Sequence, residues 1–332
     1  MCFRSLLHRR KEIFLVVLLF FLLHVMLDDS EFSEFERNTN DEKSHQEKDQ
    51  KTKSKLEARN DLNVTSEAIH PKVVVYNRVP KCGSQTMSML VNQLSRKNGF
   101  LSKAVFEAGE TPDRTTTQQK AFMGELKGYA KDQKVMYTRH QYFIDFDQFE
   151  WADPVYINLI RDPVDRFASF YYFSRFGNKR AQDAGRTKQQ VPSNILNENI
   201  DDCITRRRTE CTEPIWHTVP YICGNDKSCL QRHESAVQQA KQNIDSKYVV
   251  VGILEELKGT LGVLEHVLPD FFEGAVNHLT EIRNDTYTVK KKAMTDAARE
   301  YLANETALKL EYDLYNHAKG KHPVILKNNQ LF

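Results

Sequence analysis

Residues 73–86 read VVVYNRVPKCGSQT, and this stretch predicts a strand, a tight turn and the beginning of a helix. The β-branched run at 73–76 is typical of a buried strand. Pro80 and Gly83 mark the turn, and Ser84 stands where the N-cap of a helix is expected. Beyond the turn, apolar residues recur at the spacing of one helical face, namely Met87, Leu90, Val91 and Leu94.

The loop between this strand and helix is suited to bind phosphate. The first N–H groups of a helix have no partner, and the helix dipole adds positive charge there. Lys81 adds a full charge, and Ser84 and Thr86 add hydroxyl donors. The loop is not a Walker A loop, because its Lys precedes its Gly and it is shorter. An ordinary connection between a strand and a helix is the alternative.

The rest of the chain predicts an α/β fold. Three further apolar runs predict strands, at 135–138, 155–160 and 248–253. Runs that are apolar on both faces and separated by helices favour a parallel sheet covered on both sides. Amphipathic helices are predicted at 254–268 and 293–315, and a polar, basic loop at 177–190.

Polar residues follow each predicted strand. In an open parallel sheet, ligands bind beyond the carboxyl ends of the strands. The segments just past those ends are 78–86, 139–140, 161–162 and 255–256. The sequence therefore predicts that Lys81, His140 and Arg161 lie at one edge of the sheet, together with Arg78.

Two of these segments resemble nucleotide-binding motifs of the Golgi sulfotransferases. Residues 78–86 resemble their 5′-phosphosulfate loop. Residues 160–172 read IRDPVDRFASFYY and resemble their 3′-phosphate motif, in which an Arg is followed eight residues later by a Ser. Segments 76–79, 138–140 and 251–257 look like those of the uronosyl 2-O-sulfotransferases, with uronyl 2-sulfotransferase more similar than the heparan sulfate enzymes or insect pipe-like relatives. The resemblance covers residue 73 to the C-terminus.

The resemblance implies a P-loop-like sulfotransferase fold and a reaction. The chain would transfer a sulfuryl group from 3′-phosphoadenosine 5′-phosphosulfate (PAPS) to the 2-O position of uronic acid in dermatan or chondroitin sulfate. Heparan sulfate as acceptor is one alternative. A glycan-binding protein with an inactive nucleotide site is another. A nucleotide kinase is disfavoured because the Walker A pattern is absent.

The same resemblance assigns roles to individual residues. His140 is the expected general base, since an imidazole titrates near working pH. Lys81 would stabilise charge on the oxygen that leaves sulfur, and no metal is required. The donor would be bound by Arg78, Lys81, Cys82, Gly83, Ser84, Gln85, Thr86, Arg161, Ser169, Thr288 and Lys290. Apart from the resemblance, basic residues near the sheet edge and in the loop at 177–190 are candidates to contact an anionic acceptor, namely Arg139, Arg180 and Arg186. A merely solvated basic face is the alternative for that loop.

Four of the six cysteines lie close together at 203, 211, 223 and 229. Their spacing fits no common zinc site, whereas a lumenal region would form two local disulfides. Sequential pairing, Cys203–Cys211 and Cys223–Cys229, is the simplest of three connectivities and the one expected in the related enzymes. Cys82 would remain a free, buried thiol, with a nucleophilic role as the alternative.

The first 70 residues predict a membrane anchor and a stem. Basic residues precede an apolar run at 13–27, and Asp28 and Asp29 follow it. No small-residue cleavage site follows the run, which favours a signal anchor over a cleavable signal peptide. Residues 1–12 would then be cytosolic. Residues 28–70 have too little apolar surface to fold and predict a disordered stem before a lumenal domain at 71–332.

The expected setting follows from these features. The chain would be a single-pass type II protein of the Golgi membrane. The sequons at Asn63, Asn284 and Asn304 agree with a lumenal domain. The resemblance implies a glycosaminoglycan partner and a homo-oligomer such as a trimer. The net charge is only +2, so nucleic acid is not expected as a partner.

Overall fold

The computed structural model describes residue 69 and residues 71–105, 112–149, 154–183, 191–211, 213–282 and 287–328. The predicted cytosolic tail, signal anchor and stem lie outside these ranges, apart from residue 69. Asn63, Asn284, Arg186 and the side chain of Arg180 also lie outside the described part. None of the helices in the described ranges is long and apolar enough to cross a membrane.

The centre of the fold is a five-stranded parallel sheet in the order β2-β3-β1-β4-β5. The strands are β1 (Val73–Asn77), β2 (Leu101–Ala104), β3 (Val135–Arg139), β4 (Val155–Ile160) and β5 (Tyr248–Ile253). The prediction of a parallel sheet is confirmed, and four of its strands were predicted. Strand β2 was not predicted, because this edge strand is partly exposed and has no run of apolar residues.

Helices cover both faces of the sheet. In chain order they are α1 (Ser84–Asn98), α2 (Thr116–Tyr129), α3 (Pro163–Phe176), α4 (Lys179–Asp183), α5 (Ile200–Thr205), α6 (Thr218–Cys223), α7 (Glu234–Ser246), α8 (Leu257–Val267), α9 (Pro269–Phe272), α10 (Ala275–Leu279), α11 (Asp296–Ala303) and α12 (Thr306–Asn328). Val74 and Tyr76 pack against α1 and α8 to α10. Val73 and Val75 belong to the core on the opposite face, which contains residues of α2, α3, α6, α7 and α12. The predicted helix-covered α/β architecture is thus confirmed.

Several predicted helix boundaries were wrong. Gly83, not Ser84, is the N-cap of α1, and Ser84 is the first helical residue. The segment 293–315 forms two helices, α11 and α12, that are separated at Asn304 and Glu305. The predicted loop at 177–190 contains the short helix α4. In 254–268 a turn of 3₁₀ helix precedes α8.

The structure contains both expected disulfides, Cys203–Cys211 and Cys223–Cys229. They lie in the segment between β4 and β5, where Cys203 belongs to α5 and Cys223 ends α6. Cys82 is free and fully buried. Burial raises the pKa of its thiol to about 12, so the thiolate needed for a nucleophile is disfavoured.

Candidate functional site

The loop after β1 contains two residues with left-handed backbone conformation, and only one of them is a glycine. Lys81 and Gly83 both have positive φ angles, 68° and 71°. A Cβ atom on Gly83 would lie 2.6 Å from Cδ1 of Leu254, so a larger residue there would displace Leu254 as well as strain the backbone. The loop thus turns sharply into the N-terminus of α1, where backbone N–H groups are available for an anion. The Cys82 side chain is buried, so only its backbone can contact a ligand there.

Lys81 carries the most perturbed charge of the loop. Its Nζ atom lies 3.6 Å from the ring centroid of Phe173 on α3. Burial, together with the positive charges of Arg161 and Lys291, lowers the pKa of Lys81 to about 7. Three cations close enough to repel one another favour an anionic ligand, whose charge would relieve that repulsion. The loop therefore fits the phosphates of the donor that the motifs imply.

Arg161 lies directly after β4, at the edge where the strand before Lys81 also ends. Its Nη2 atom is 3.8 Å from Oδ2 of Asp165, and its Nε atom is 3.9 Å from Oε1 of Glu255. These separations are too long for hydrogen bonds. The buried Nε has no hydrogen-bond partner among the described residues. A guanidinium with a donor left over is suited to a forked contact with phosphate.

Ser169 and Thr288 meet, although they are far apart in the sequence. The Oγ atom of Ser169 lies 3.1 Å from Oγ1 of Thr288. Ser169 belongs to α3, which begins at the N-cap Asp162, whose side chain accepts a hydrogen bond from the Asp165 N–H. We call residues 287–292 the strap. The structure thus brings together two of the predicted hydroxyl donors at the end of the 3′-phosphate motif.

The strap is fastened to the C-terminal end of α3 by the backbone. The N–H of Lys179 donates to the carbonyl oxygen of Tyr287 at 3.1 Å, and the N–H of Val289 donates to that of Gly177 at 3.3 Å. Next to these bonds, the Asn178 side chain donates to Oε1 of Gln85 on α1 at 2.6 Å. The phosphate loop, α3 and the strap therefore form one connected wall.

Two lysines of the strap are placed differently. Lys290, the lysine predicted to bind the donor, is exposed, and its Nζ atom lies 4.5 Å from the ring centroid of Phe176. Lys291 was not selected, yet its charge acts on both Lys81 and Arg161. Burial and the neighbouring Arg161 lower the pKa of Lys291. Lys291 therefore lies close enough to Lys81 and Arg161 for the three positive charges to repel one another.

His140 lies beside the phosphate loop, because β3 pairs with β1 and Asn77 lies opposite Arg139. Its Nδ1 atom is 2.9 Å from the carbonyl oxygen of Arg78. Burial lowers the pKa of His140 to about 4, and the charges of Arg78 and Lys81 act in the same direction. A carbonyl can only accept, so Nδ1 carries the proton and Nε2 has a free lone pair. The imidazole is therefore neutral at pH 7 and can accept a proton.

Arg78 and Arg139 each use some of their hydrogen-bond donors within the protein. The Arg78 side chain is buried, and its Nη2 donates to the carbonyl oxygen of Val105 at 3.4 Å. Burial lowers the pKa of Arg78 to about 10. Arg139 hydrogen-bonds to the hydroxyl of Tyr137. Both arginines therefore shape the charge at the strand ends, and fewer of their donors are left for a ligand.

A buried hydrogen-bond network around Asn77 connects the strands that carry the site, and it was not predicted from the sequence. The Asn77 side chain donates to the carbonyl oxygen of Tyr221 at 3.0 Å. Its Oδ1 atom accepts from Asn158 at 3.0 Å and from the hydroxyl of Tyr248 at 3.0 Å. Four segments that are distant in sequence are joined in this way. Isolated polar residues in apolar runs are the only signal for such a network, and they do not reveal their partners.

Helix α12 also reaches this region through Glu311. This buried carboxylate accepts the N–H groups of His217, Thr218 and Val219 at 2.7, 3.0 and 3.0 Å. The positive charge of the buried Arg166 faces it. Glu311 thus holds the first turn of α6, the helix whose Tyr221 carbonyl is bonded to Asn77.

The fold and the residues at the carboxyl edge of the sheet define a class of protein. It is an α/β protein with an anion-binding loop, a second group of cationic and hydroxyl side chains, and a neutral histidine beside the loop. A sequence model described as "Sulfotransferase family" matches residues 68–318. The chain therefore belongs to the sulfotransferase family.

Individual relatives agree with this membership. Human uronyl 2-sulfotransferase is 36% identical over 259 residues, which are 75% of this chain and 62% of the relative. The heparan sulfate 2-O-sulfotransferase of Caenorhabditis elegans is 30% identical over 266 residues, 77% of this chain and 80% of that protein. Heparan sulfate 2-O-sulfotransferase 1 of Gallus gallus is 30% identical over 277 residues, with 78% and 75% covered.

These matches confirm the resemblance predicted from the motifs, including the greater similarity to uronyl 2-sulfotransferase than to the heparan sulfate enzymes. The matched part of the chain spans 62% of the length of human uronyl 2-sulfotransferase, which is less than two thirds of that relative.

Proposed function

We propose that this chain transfers a sulfuryl group from PAPS to the 2-O position of uronic acid in dermatan or chondroitin sulfate. The observation that carries the proposal is the placement of His140, whose imidazole is neutral, beside Lys81 of the phosphate loop at the ends of adjacent strands. Membership of the sulfotransferase family and the 36% identity to human uronyl 2-sulfotransferase support the same reaction.

The donor supplies an activated sulfuryl group, and the residues of the site hold its phosphates. Lys81 and the first N–H groups of α1 bind the 5′-phosphosulfate end. Arg161, Ser169 and Thr288 would hold the 3′-phosphate. Lys291 adds charge between the two ends, since it acts on both Lys81 and Arg161.

The chemistry needs one base and one cation. The Nε2 atom of His140 takes the proton of the acceptor hydroxyl while that oxygen bonds to sulfur. The bond between sulfur and the phosphate oxygen breaks, and Lys81 neutralises the charge that develops on the leaving oxygen. The low pKa of His140 keeps its imidazole unprotonated and ready for this step from about pH 5 upward.

The setting of the reaction is also a proposal. Two disulfides are typical of proteins folded in an oxidising compartment. We place the domain in the Golgi lumen, with residues 13–27 as a signal anchor and residues 28–70 as a stem. Asn304, an exposed residue at the end of α11, is available for a glycan there. The acceptor polymer is the glycosaminoglycan partner, and the chain acts as a homo-oligomer.

The proposal is tested with the full-length chain, purified in detergent. Labelled sulfate transfer from PAPS is measured with dermatan, chondroitin and desulfated heparan chains, followed by analysis of the disaccharides for 2-O-sulfated uronate. We expect product from dermatan or chondroitin, and none with His140→Ala. Product from heparan alone would replace the polymer in the proposal and keep the chemistry. Binding of 3′-phosphoadenosine 5′-phosphate without transfer to any chain would point to a glycan-binding protein instead.

A further inference from the structure

Helix α3 presents one face to the donor site, and this face carries two aromatic rings beside Ser169. Phe173 and Phe176 follow Ser169 at the spacing of one helical face. Each ring lies under a lysine from another segment: Lys81 of the phosphate loop is 3.6 Å from the centroid of Phe173, and Lys290 of the strap is 4.5 Å from that of Phe176. The motifs explain Ser169 but give these rings no role.

The ring of Phe173 is the partner that the structure provides for the Lys81 ammonium. Among the described residues, the Lys81 side chain has no hydrogen bond and no ion pair. Arg161, Lys291 and His140 surround it from the end of β4, the strap and the end of β3, and Cys82 follows it in the loop. The two cations and the burial all oppose its positive charge. The negative face of an aromatic ring attracts a cation and favours the charged form.

We propose that Phe173 is a positioning residue for sulfuryl transfer: its ring holds the Lys81 ammonium in the phosphate loop and favours its protonated form before the donor binds. This inference rests on the proposed function for the role of Lys81 in transfer. The contact itself belongs to the free protein and does not depend on which polymer is the acceptor.

The first experiment measures the protonation of Lys81 in the full-length chain without nucleotide. Competitive acetylation with trace acetic anhydride is followed by mass spectrometry between pH 5 and pH 10, with exposed Lys258 as the internal reference. We expect the midpoint for Lys81, near 7 in the unaltered chain, to fall by about half a unit to one unit in Phe173→Leu. Phe173→Tyr keeps a ring and should keep the midpoint.

The matched control is Phe176→Leu, which removes a ring from the same face of the same helix. It should leave the Lys81 midpoint unchanged, because its ring lies under Lys290. Phe173→Met carries the test if Phe173→Leu does not fold. A midpoint for Lys81 that stays fixed or rises in the folded Leu or Met variant would overturn the proposal, as would a shift in Phe173→Tyr as large as that in Phe173→Leu.

The second experiment connects this contact to transfer. Lys81 is half protonated at pH 7, so the expected fall in its pKa lowers kcat/KM for PAPS in Phe173→Leu about two- to five-fold at that pH. At pH 6, where most Lys81 stays protonated, the loss should be less than about two-fold. A loss that is equal at both pH values would show a merely structural role and sink the proposal. If the unaltered chain transfers sulfate to no polymer, the proposed function fails, and the acetylation midpoints still decide the role of Phe173.

Discussion

The Nδ1 atom of His140 lies 2.9 Å from the carbonyl oxygen of Arg78. This hydrogen bond joins the ends of β3 and β1, so the histidine is oriented by the same strand that begins the phosphate loop. Because the carbonyl accepts the Nδ1–H, the ring is held as the tautomer whose Nε2 is a base. One backbone oxygen therefore sets both the orientation and the tautomer of the candidate catalytic group, while burial keeps the imidazole neutral.

Replacement of His140 should abolish transfer and spare nucleotide binding. His140→Ala removes the proton acceptor, and we expect kcat to fall by about 10²- to 10⁴-fold. Calorimetric affinity for 3′-phosphoadenosine 5′-phosphate should stay within about two-fold or improve slightly. His278→Ala is the control, because this histidine lies on α10 and pairs with Glu281. Transfer that survives in His140→Ala would require a different base.

The pH profile should report Lys81 and His140. Below about pH 4 His140 gains a proton and is no longer a base, and above about pH 7 Lys81 loses its charge. We therefore expect kcat/KM for PAPS, which reports the free enzyme, to be highest between these values and to fall above pH 7. Lys81→Arg should remove the fall on the alkaline side, since a guanidinium stays charged. A profile for the unaltered chain that rises from pH 6 to pH 8 would contradict this assignment.

The loop glycine offers a test of the backbone geometry. Gly83→Ala places a Cβ at a φ of 71° and 2.6 Å from Cδ1 of Leu254. We expect the free energy of unfolding to fall by about 1–3 kcal/mol, and the affinity for 3′-phosphoadenosine 5′-phosphate to fall at least about ten-fold. Gly124→Ala in the middle of α2 meets no atom within 4 Å and should stabilise the protein by about 0.5–1 kcal/mol. Equal urea midpoints for the two variants would show that the loop tolerates a side chain.

These features differ in how far the sequence predicts them. Strands β1, β3, β4 and β5 are apolar on both faces, and this pattern identified them. The positions of Lys81, His140 and Arg161 followed from the rule that ligands bind at the carboxyl ends of parallel strands. The edge strand β2 is partly exposed and has no such pattern.

The contacts of Phe173 and Glu311, which support the site, could not be predicted from apolar periodicity or from motif spacing. Phe173 reads as an ordinary apolar residue of α3, and its contact with Lys81 arises only when the helix packs beside the loop. Glu311 lies 94 residues from His217, whose N–H it accepts. Capping by such a distant side chain depends on tertiary packing, which neither periodicity nor motif spacing records.

The buried carboxylate of Glu311 should contribute far more to the free energy of unfolding than the exposed carboxylate of Asp313 on the same helix. Glu311→Ala leaves the N–H groups of His217, Thr218 and Val219 without their acceptor. It also removes the negative charge that faces the buried guanidinium of Arg166. Breaking a buried pair of this kind costs about 3–5 kcal/mol, which corresponds to a fall in Tm of roughly 6–20 °C. Asp313→Ala breaks only the exposed pair with Lys241 and should cost less than about 1 kcal/mol. Calorimetric melting of the two variants compares them directly, and a Glu311→Ala protein that melts within about 2 °C of Asp313→Ala would show that α12 does not hold α6 through this carboxylate.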